Sequence, residues 1–388
     1  MSVRPFVFSC DAHLSEPPEL FIANMPAGME EHILQVITRD DGDRSLYIGD
    51  RRVLKMGHNF ATHRTGISDQ QFAEQAVDTT RRGTRNIELR LADMDRDGID
   101  AELLFPSMGL FIPRIVDPDA QAAACRIYND WAWEYCAPAR DRLVAAAMIP
   151  CIDLDMALAE CKRTAAMGYA AFVLWEGLNN YNDPAWDPIF AFAGANGIPL
   201  VFHTGIGDID IRALRGPGGA LYNYTRLMND AVEIITQLVG GGVLDRNPNA
   251  HIVFAEHSAG WLWGLAERMD EVYQGHAPSI TPKLGRWPSQ IVRDQVHCAL
   301  QNDIGSIATR RGVGIGALMF ATDYPHSEGT FPFSRDLVDR MRVEHPDLTI
   351  DEFVAVLGGN AADVFARAGL RPLVDARTEQ LKADLQPA

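Results

Sequence analysis

The sequence predicts an α/β fold, a (β/α)8 TIM barrel with an insertion after its first strand. Eight short apolar or β-branched runs bounded by turns are spread along the 388 residues. Most are apolar without alternation, as strands covered on both faces are. Helical patterns lie between them, and strand, helix, strand at this spacing makes parallel βαβ units.

The runs begin with "PFVFSC" (5–10), "DAELLFP" (100–106), "RLVAAAMIP" (142–150) and "AAFVLWE" (170–176). They continue with "IPLVFHTG" (198–205), "AHIVFAEHS" (250–258), "HCALQND" (297–303) and "ALMFATDYP" (317–325). Among the helical stretches, 119–139 is rich in alanine and aromatics, and 153–168 runs from an acidic cap to Gly168. The stretch 183–197 also ends on a glycine, the residue that most readily closes a helix. An open doubly wound sheet would follow strand 1 with GxGxxG, and none is present. Residues 19–99 form the insertion, read as folding over the barrel mouth of a single domain spanning 1–388. Within it, 39–56 looks like a hairpin, with "DDGD" as one turn and Gly49-Asp50 as a second. The tail 351–369 reads as two short helices broken at Gly358-Gly359, and the last dozen residues as frayed.

Composition narrows the partners. Hydrophobic residues make up 47% and charged residues 22%, an ordinary globular mixture. The net charge of −17 argues against nucleic acid, whose phosphates require a basic face, and against an anionic membrane surface. No apolar run approaches the ~18 residues of a membrane span. The six cysteines contain no CxxC pair, so neither a cysteine zinc site nor a disulfide framework is expected. Cysteines within apolar runs and the lack of a signal peptide give a cytoplasmic expectation.

Chemistry in a barrel sits where the strands end. Strand 1 ends in Asp11 and His13, which alternate and therefore share a face, with Glu16 beyond them. Strand 4 supplies Glu176, strand 5 His203, strand 6 Glu256 and His257, and strand 8 Asp323, with His326 and Glu328 after it. Imidazole nitrogens and carboxylate oxygens converging on one rim are the donor set a divalent metal takes. Taken alone, each has a plainer explanation: a hydrogen-bonded histidine or a turn-forming aspartate. Their simultaneous presence at strand ends 1, 5, 6 and 8 favours the metal. Arg212 and Arg215 follow strand 5 and are candidates to pair with a substrate carboxylate. Trp175, Trp261 and Trp263 are candidates for an aromatic wall, and His58 and His63 for a cap over the pocket.

The segments "DAHLSEPPELF", "VFHTG", "FAEHSAGWLWGLAERMD" and "ATDYPHSEG" together resemble the amidohydrolase superfamily. The resemblance is to its amidohydrolase-related branch, which holds aminocarboxymuconate-semialdehyde decarboxylase and the dihydroxybenzoate-type decarboxylases. It implies a distorted (β/α)8 barrel with one divalent metal at the C-terminal rim, Zn²⁺ first and Mn²⁺ or Fe²⁺ as alternatives. Asp11, His13, His203 and Asp323 would be the ligands, with Asp11 standing where many relatives carry histidine or glutamate. One of Glu256 and His257 would face the metal. Glu256 takes that place and His257 the acid–base role, with Asp323 also placed to move a proton. His326, Arg212, Arg215 and Trp175 would contact substrate. The resemblance implies non-oxidative decarboxylation of a small aromatic or unsaturated carboxylic acid by a homodimer or homotetramer. The alternatives are hydrolysis of a C–C, amide or ester bond, and a metal-free barrel used for binding.

Overall fold

The computed structural model describes residues 4–40, 44–55, 82–178, 180–207, 214–326 and 328–384. Strand β1 (Phe8–His13) is followed by a small antiparallel sheet of β2 (Leu34–Thr38), β3 (Arg44–Ile48) and β4 (Arg51–Lys55). The remaining strands are β5 (Ala101–Phe105), β6 (Leu143–Ala145), β7 (Ala147–Met148), β8 (Phe172–Glu176) and β9 (Leu200–Gly207). They continue through β10 (Ile252–Ala255), β11 (Val296–Leu300) and β12 (Leu318–Phe320).

Every pairing among β1 and β5–β12 is parallel, and neighbours in space are neighbours in the chain. The expected third strand divides into β6 and β7 around Ala146. The Ala146 N–H donates to Leu104 on one side and the Ala147 N–H to Ala171 on the other, so one run serves both neighbours. Beyond β12, the Asp323 N–H donates to the Asp11 carbonyl at 2.9 Å and the His13 N–H to the Tyr324 carbonyl at 2.7 Å. A parallel bridge between Ala12 and Tyr324 therefore joins the last strand position to the first. The fold is a distorted (β/α)8 barrel.

The strands are apolar because helices cover them. Phe172, Val173, Leu174, Leu200, Val201, Phe202, Ile252, Val253 and Phe254 are all fully buried. Burying one such side chain contributes about 1.5–3 kcal/mol, so this layer needs no ion pairs to hold it. The helix Pro118–Cys136 is capped by Asp117, which accepts from the Ala120 amide, and Leu154–Met167 by Asp153, which accepts from Met156. Gly168 closes the second helix at φ 111°, and a Cβ there would stand 2.9 Å from the Trp133 ring.

Three local expectations are corrected. The hairpin within 39–56 is β3–β4 with its turn at Gly49-Asp50, but it gains an earlier third arm, Leu34–Thr38, paired so that buried Leu34 lies opposite buried Ile48. Gly358 and Gly359 do not break the tail; Ala355–Gly359 is a π-helical turn joining Ile350–Val354 to Asn360–Val364. The part of the expected frayed tail up to Asp384 is helical, within Arg371–Asp384 anchored by the buried Val374 and Leu381, and 385–388 lie outside the described residues. Within 19–99, the helix Ile87–Asp97 is the segment that leads into β5.

Candidate active site

The strand ends and the turn after the last strand bring six acidic and imidazole side chains together. Asp11, His13, His203 and Asp323 are each 0% exposed. His13 Nε2 lies 3.2 Å from His203 Nε2, 3.6 Å from Asp11 Oδ1 and 3.4 Å from Asp323 Oδ1. His203 Nε2 lies 3.3 Å from Asp11 Oδ1 and 3.7 Å from Glu256 Oε2. Donor atoms of Asp11, His13, His203 and Glu256 all fall within 4.8 Å of one another. The same holds for His13, Glu256, Asp323 and His326.

Backbone geometry aims these side chains. Glu256 and Asp323 take left-handed backbone conformations at φ 63° and 53°, as does Ser258 at 55°. Each such non-glycine residue costs about 1–2 kcal/mol. Hydrogen bonds hold the turn: the Thr204 hydroxyl donates to the Glu256 carbonyl at 3.1 Å, and the Asp323 amide to Asp11. The histidines are held from behind. His13 Nδ1 meets the Pro106 carbonyl at 3.0 Å and His203 Nδ1 the Thr204 carbonyl at 2.8 Å. A carbonyl only accepts, so each Nδ1 carries the proton and each Nε2 is turned to the cluster.

Electrostatics divides the groups. Burial and the nearby His326 lower the His13 pKa. For His203, burial opposes the charge, but Asp11 and then Glu256 outweigh it and lift the pKa to about 9. His326 is likewise raised to about 9, because Asp323, 2.7 Å away, outweighs burial. Burial and then Asp323 push the Glu256 carboxyl well up. Burial also raises Asp323, but His326 and His13 outweigh it and hold the carboxyl below its usual range.

A divalent cation fits this arrangement. Two Nε2 atoms face each other at 3.2 Å among three carboxylates, and neither Asp11 oxygen makes a well-aligned hydrogen bond. A buried carboxylate left in that state costs several kcal/mol unless a cation takes it up. Asp11, His13, His203, Asp323 and Glu256 are the residues that can hold one.

Residues 10–367 match the family model described as amidohydrolase. The chain belongs to the amidohydrolase family. No curated protein sequence matches this amidohydrolase. Among solved structures, an amidohydrolase from Mycobacterium avium subsp. paratuberculosis K-10 is similar, with TM-score 0.75 and 19% identity over 94% of this chain and 98% of that one. A 5-carboxyvanillate decarboxylase from Sphingomonas paucimobilis has TM-score 0.63 and 21% identity, covering 94% and 99%. A dihydroxybenzoic acid decarboxylase from Polaromonas sp. JS666, with bound manganese and 2-nitroresorcinol, has TM-score 0.61 and 16% identity over 94% and 97%.

The remaining expected residues are dispersed. His257 sits behind the cluster with its side chain 0% exposed. Its Nε2 meets Glu176 Oε1 at 2.7 Å and the Thr204 hydroxyl at 3.1 Å, and its Nδ1 meets the Ala255 carbonyl at 2.7 Å. Both His257 ring nitrogens are thus engaged, and the side chain points toward Glu176 and Thr204. Glu256 keeps a side chain 15% exposed beside the cluster. Trp175 is buried in the hydrophobic core and so does not form an exposed substrate wall. Trp261 donates to the His257 carbonyl, and Trp263 to Glu267. Arg215 is exposed, as is Glu328, while Arg212, His58 and His63 lie outside the described residues.

Sequence reading missed the buried Arg90, whose Nη1 donates to the His13 carbonyl at 2.8 Å and Nε to Glu102 at 2.7 Å. Its signal is the helical spacing of Ile87, Arg90, Met94 and Asp97, a stripe on which a charged residue has to be paired. Pro106 and Thr204 orient the two histidines through backbone carbonyls, which leave no trace in side-chain chemistry.

Proposed function

We propose that this amidohydrolase binds one divalent metal at Asp11, His13, His203 and Asp323, with Glu256 beside it. Its reaction is the non-oxidative decarboxylation of a small aromatic or unsaturated carboxylic acid. The observation that carries the reading is the buried Asp11 carboxylate facing two imidazole Nε2 atoms without a well-aligned donor of its own. Manganese in the Polaromonas structure and the two decarboxylases among the similar folds support it.

When bound, the metal supplies a Lewis acid that holds and polarises substrate oxygens. Glu256, its carboxyl raised by burial, gives its proton to the ring or alkene carbon that carries the carboxylate. The bond from that carbon to the carboxylate then breaks, its electron pair restores the unsaturated system, and carbon dioxide leaves. Glu256 is reprotonated from solvent, to which its side chain is open. His326, at 18% exposure beside Asp323, lines the same rim and orients substrate oxygens. Arg215 is the described candidate partner for a second substrate carboxylate. The donor set of imidazole and carboxylate suits zinc, manganese or iron, and the family resemblance makes zinc the first choice.

Metal-loaded protein incubated with a panel of hydroxylated benzoic acids tests the reading. Stoichiometric carbon dioxide release and a C–H bond at the vacated position are expected. Incorporation of water oxygen into the product without carbon dioxide would establish hydrolysis instead.

A further inference from the structure

Glu16 and Glu176 come from different strand ends, and each is buried to 1% exposure. Each accepts a hydrogen bond from the one peptide group that orients a cluster histidine. The peptide joining Pro106 to Ser107 accepts from His13 Nδ1 at 3.0 Å through its carbonyl and donates to Glu16 Oε2 at 3.1 Å through its N–H. The peptide joining Thr204 to Gly205 accepts from His203 Nδ1 at 2.8 Å and donates to Glu176 Oε2 at 3.2 Å.

We infer that Glu16 and Glu176 are positioning residues for the metal-facing histidines, each acting through a single peptide group. A carboxylate at the N–H end polarises the peptide and strengthens its carbonyl as an acceptor, because hydrogen bonds in series reinforce one another. The stronger acceptor fixes the proton on Nδ1 and raises the basicity of Nε2, as a carboxylate bonded directly to a ligating histidine does. The same carboxylate–peptide–imidazole sequence recurs on both histidines, from unrelated loops. Loop anchoring alone would not require that the anchored peptide be the one holding each imidazole. Both glutamates also have other partners. Glu16 accepts from Met108 and Gly109 at 2.9 and 2.8 Å, and Glu176 Oε1 meets His257. Glu16 is therefore the cleaner arm of a test.

The inference rests on the metal reading, and the experiment separates the two. Full-length protein stripped with chelator is titrated with Mn²⁺ or Zn²⁺ against a competing chromophoric chelator, with thermal unfolding followed in the metal-free state. E16Q should weaken metal binding about 10–100-fold while the metal-free protein unfolds at the wild-type temperature. In an H13A background, E16Q should weaken binding no further, whereas E176Q still should. Unchanged affinity in E16Q, or an equal loss in the H13A background, would reduce Glu16 to a loop anchor and overturn the inference. If E16Q does not fold, E176Q with H203A gives the same cycle on the second histidine. Wild-type protein that takes up neither metal overturns the metal reading, and this inference with it. Wild-type uptake with E16Q and E176Q both unaffected overturns the inference alone.

Discussion

Glu256 and Asp323 both aim a carboxylate at one point from a left-handed backbone, which few residue types adopt willingly. Such strain persists only where neighbours over-determine it, here the Thr204 hydroxyl and the Asp11 carbonyl. Backbone geometry turns Glu256 toward the cluster and its neighbour His257 toward Glu176 and Thr204, and the proposed reading gives the two different roles. Glu256→Gln should lower turnover about 10²–10⁴-fold, the range for loss of a general acid, in steady-state assays with metal content matched. His257→Gln, which keeps a partner for Glu176, should stay within about tenfold on the same scale. The reverse order would return the acid–base role to His257. The residue types at this rim were legible in the sequence, since Asp11, His13, His203, Glu256 and Asp323 all meet there. Which of two neighbours faces the cluster was not, because a left-handed residue overrides strand alternation.

The helix Ile87–Asp97 and strands β1 and β5 meet at one buried ion pair. Arg90 bonds both Glu102 and the His13 carbonyl, so it ties the helix to the strand end that carries two cluster residues. Arg90→Met would leave the buried Glu102 carboxylate without its partner. Denaturant unfolding should show a loss of about 3–5 kcal/mol, the cost of breaking a buried pair from one side. A change under 1 kcal/mol would mean that Glu102 finds water or another donor. The strands themselves were readable because both faces are buried and the runs stay apolar. The π-turn at Ala355–Gly359 was not, since two glycines look like a break when the packing of Gly358 against the Phe6 carbonyl is unseen.

At the scale of the whole molecule, one histidine pair sits apart from the rim. His297 Nδ1 donates to the Gly316 carbonyl at 2.8 Å, and its Nε2 meets His251 Nδ1 at 3.0 Å. Burial and the neighbouring His251 lower the His297 pKa to about 4. The unfolded chain, with an ordinary value near 6.5, binds more protons than the folded one between these limits. Stability from this group is therefore full above pH ~6.5 and declines as the pH falls toward 4, by about 3 kcal/mol in all. Urea titrations of metal-free protein from pH 7 to 4 should lose that part of their slope in His297→Gln, and a parallel pair of curves would contradict it. Among the described residues, no helix is long and apolar enough to cross a membrane. The barrel was legible from strand count and order, whereas its distortion at Ala146 and its joining at Tyr324 each depend on a pair of backbone hydrogen bonds that no pattern announces. The central claim is that strand ends far apart in the chain build one divalent-metal centre, and metal content tests it most directly. Elemental analysis of reconstituted protein should return one equivalent of zinc or manganese, falling to a small fraction in His203→Ala. Less than a tenth of an equivalent in the wild type, or full retention in His203→Ala, would contradict the account.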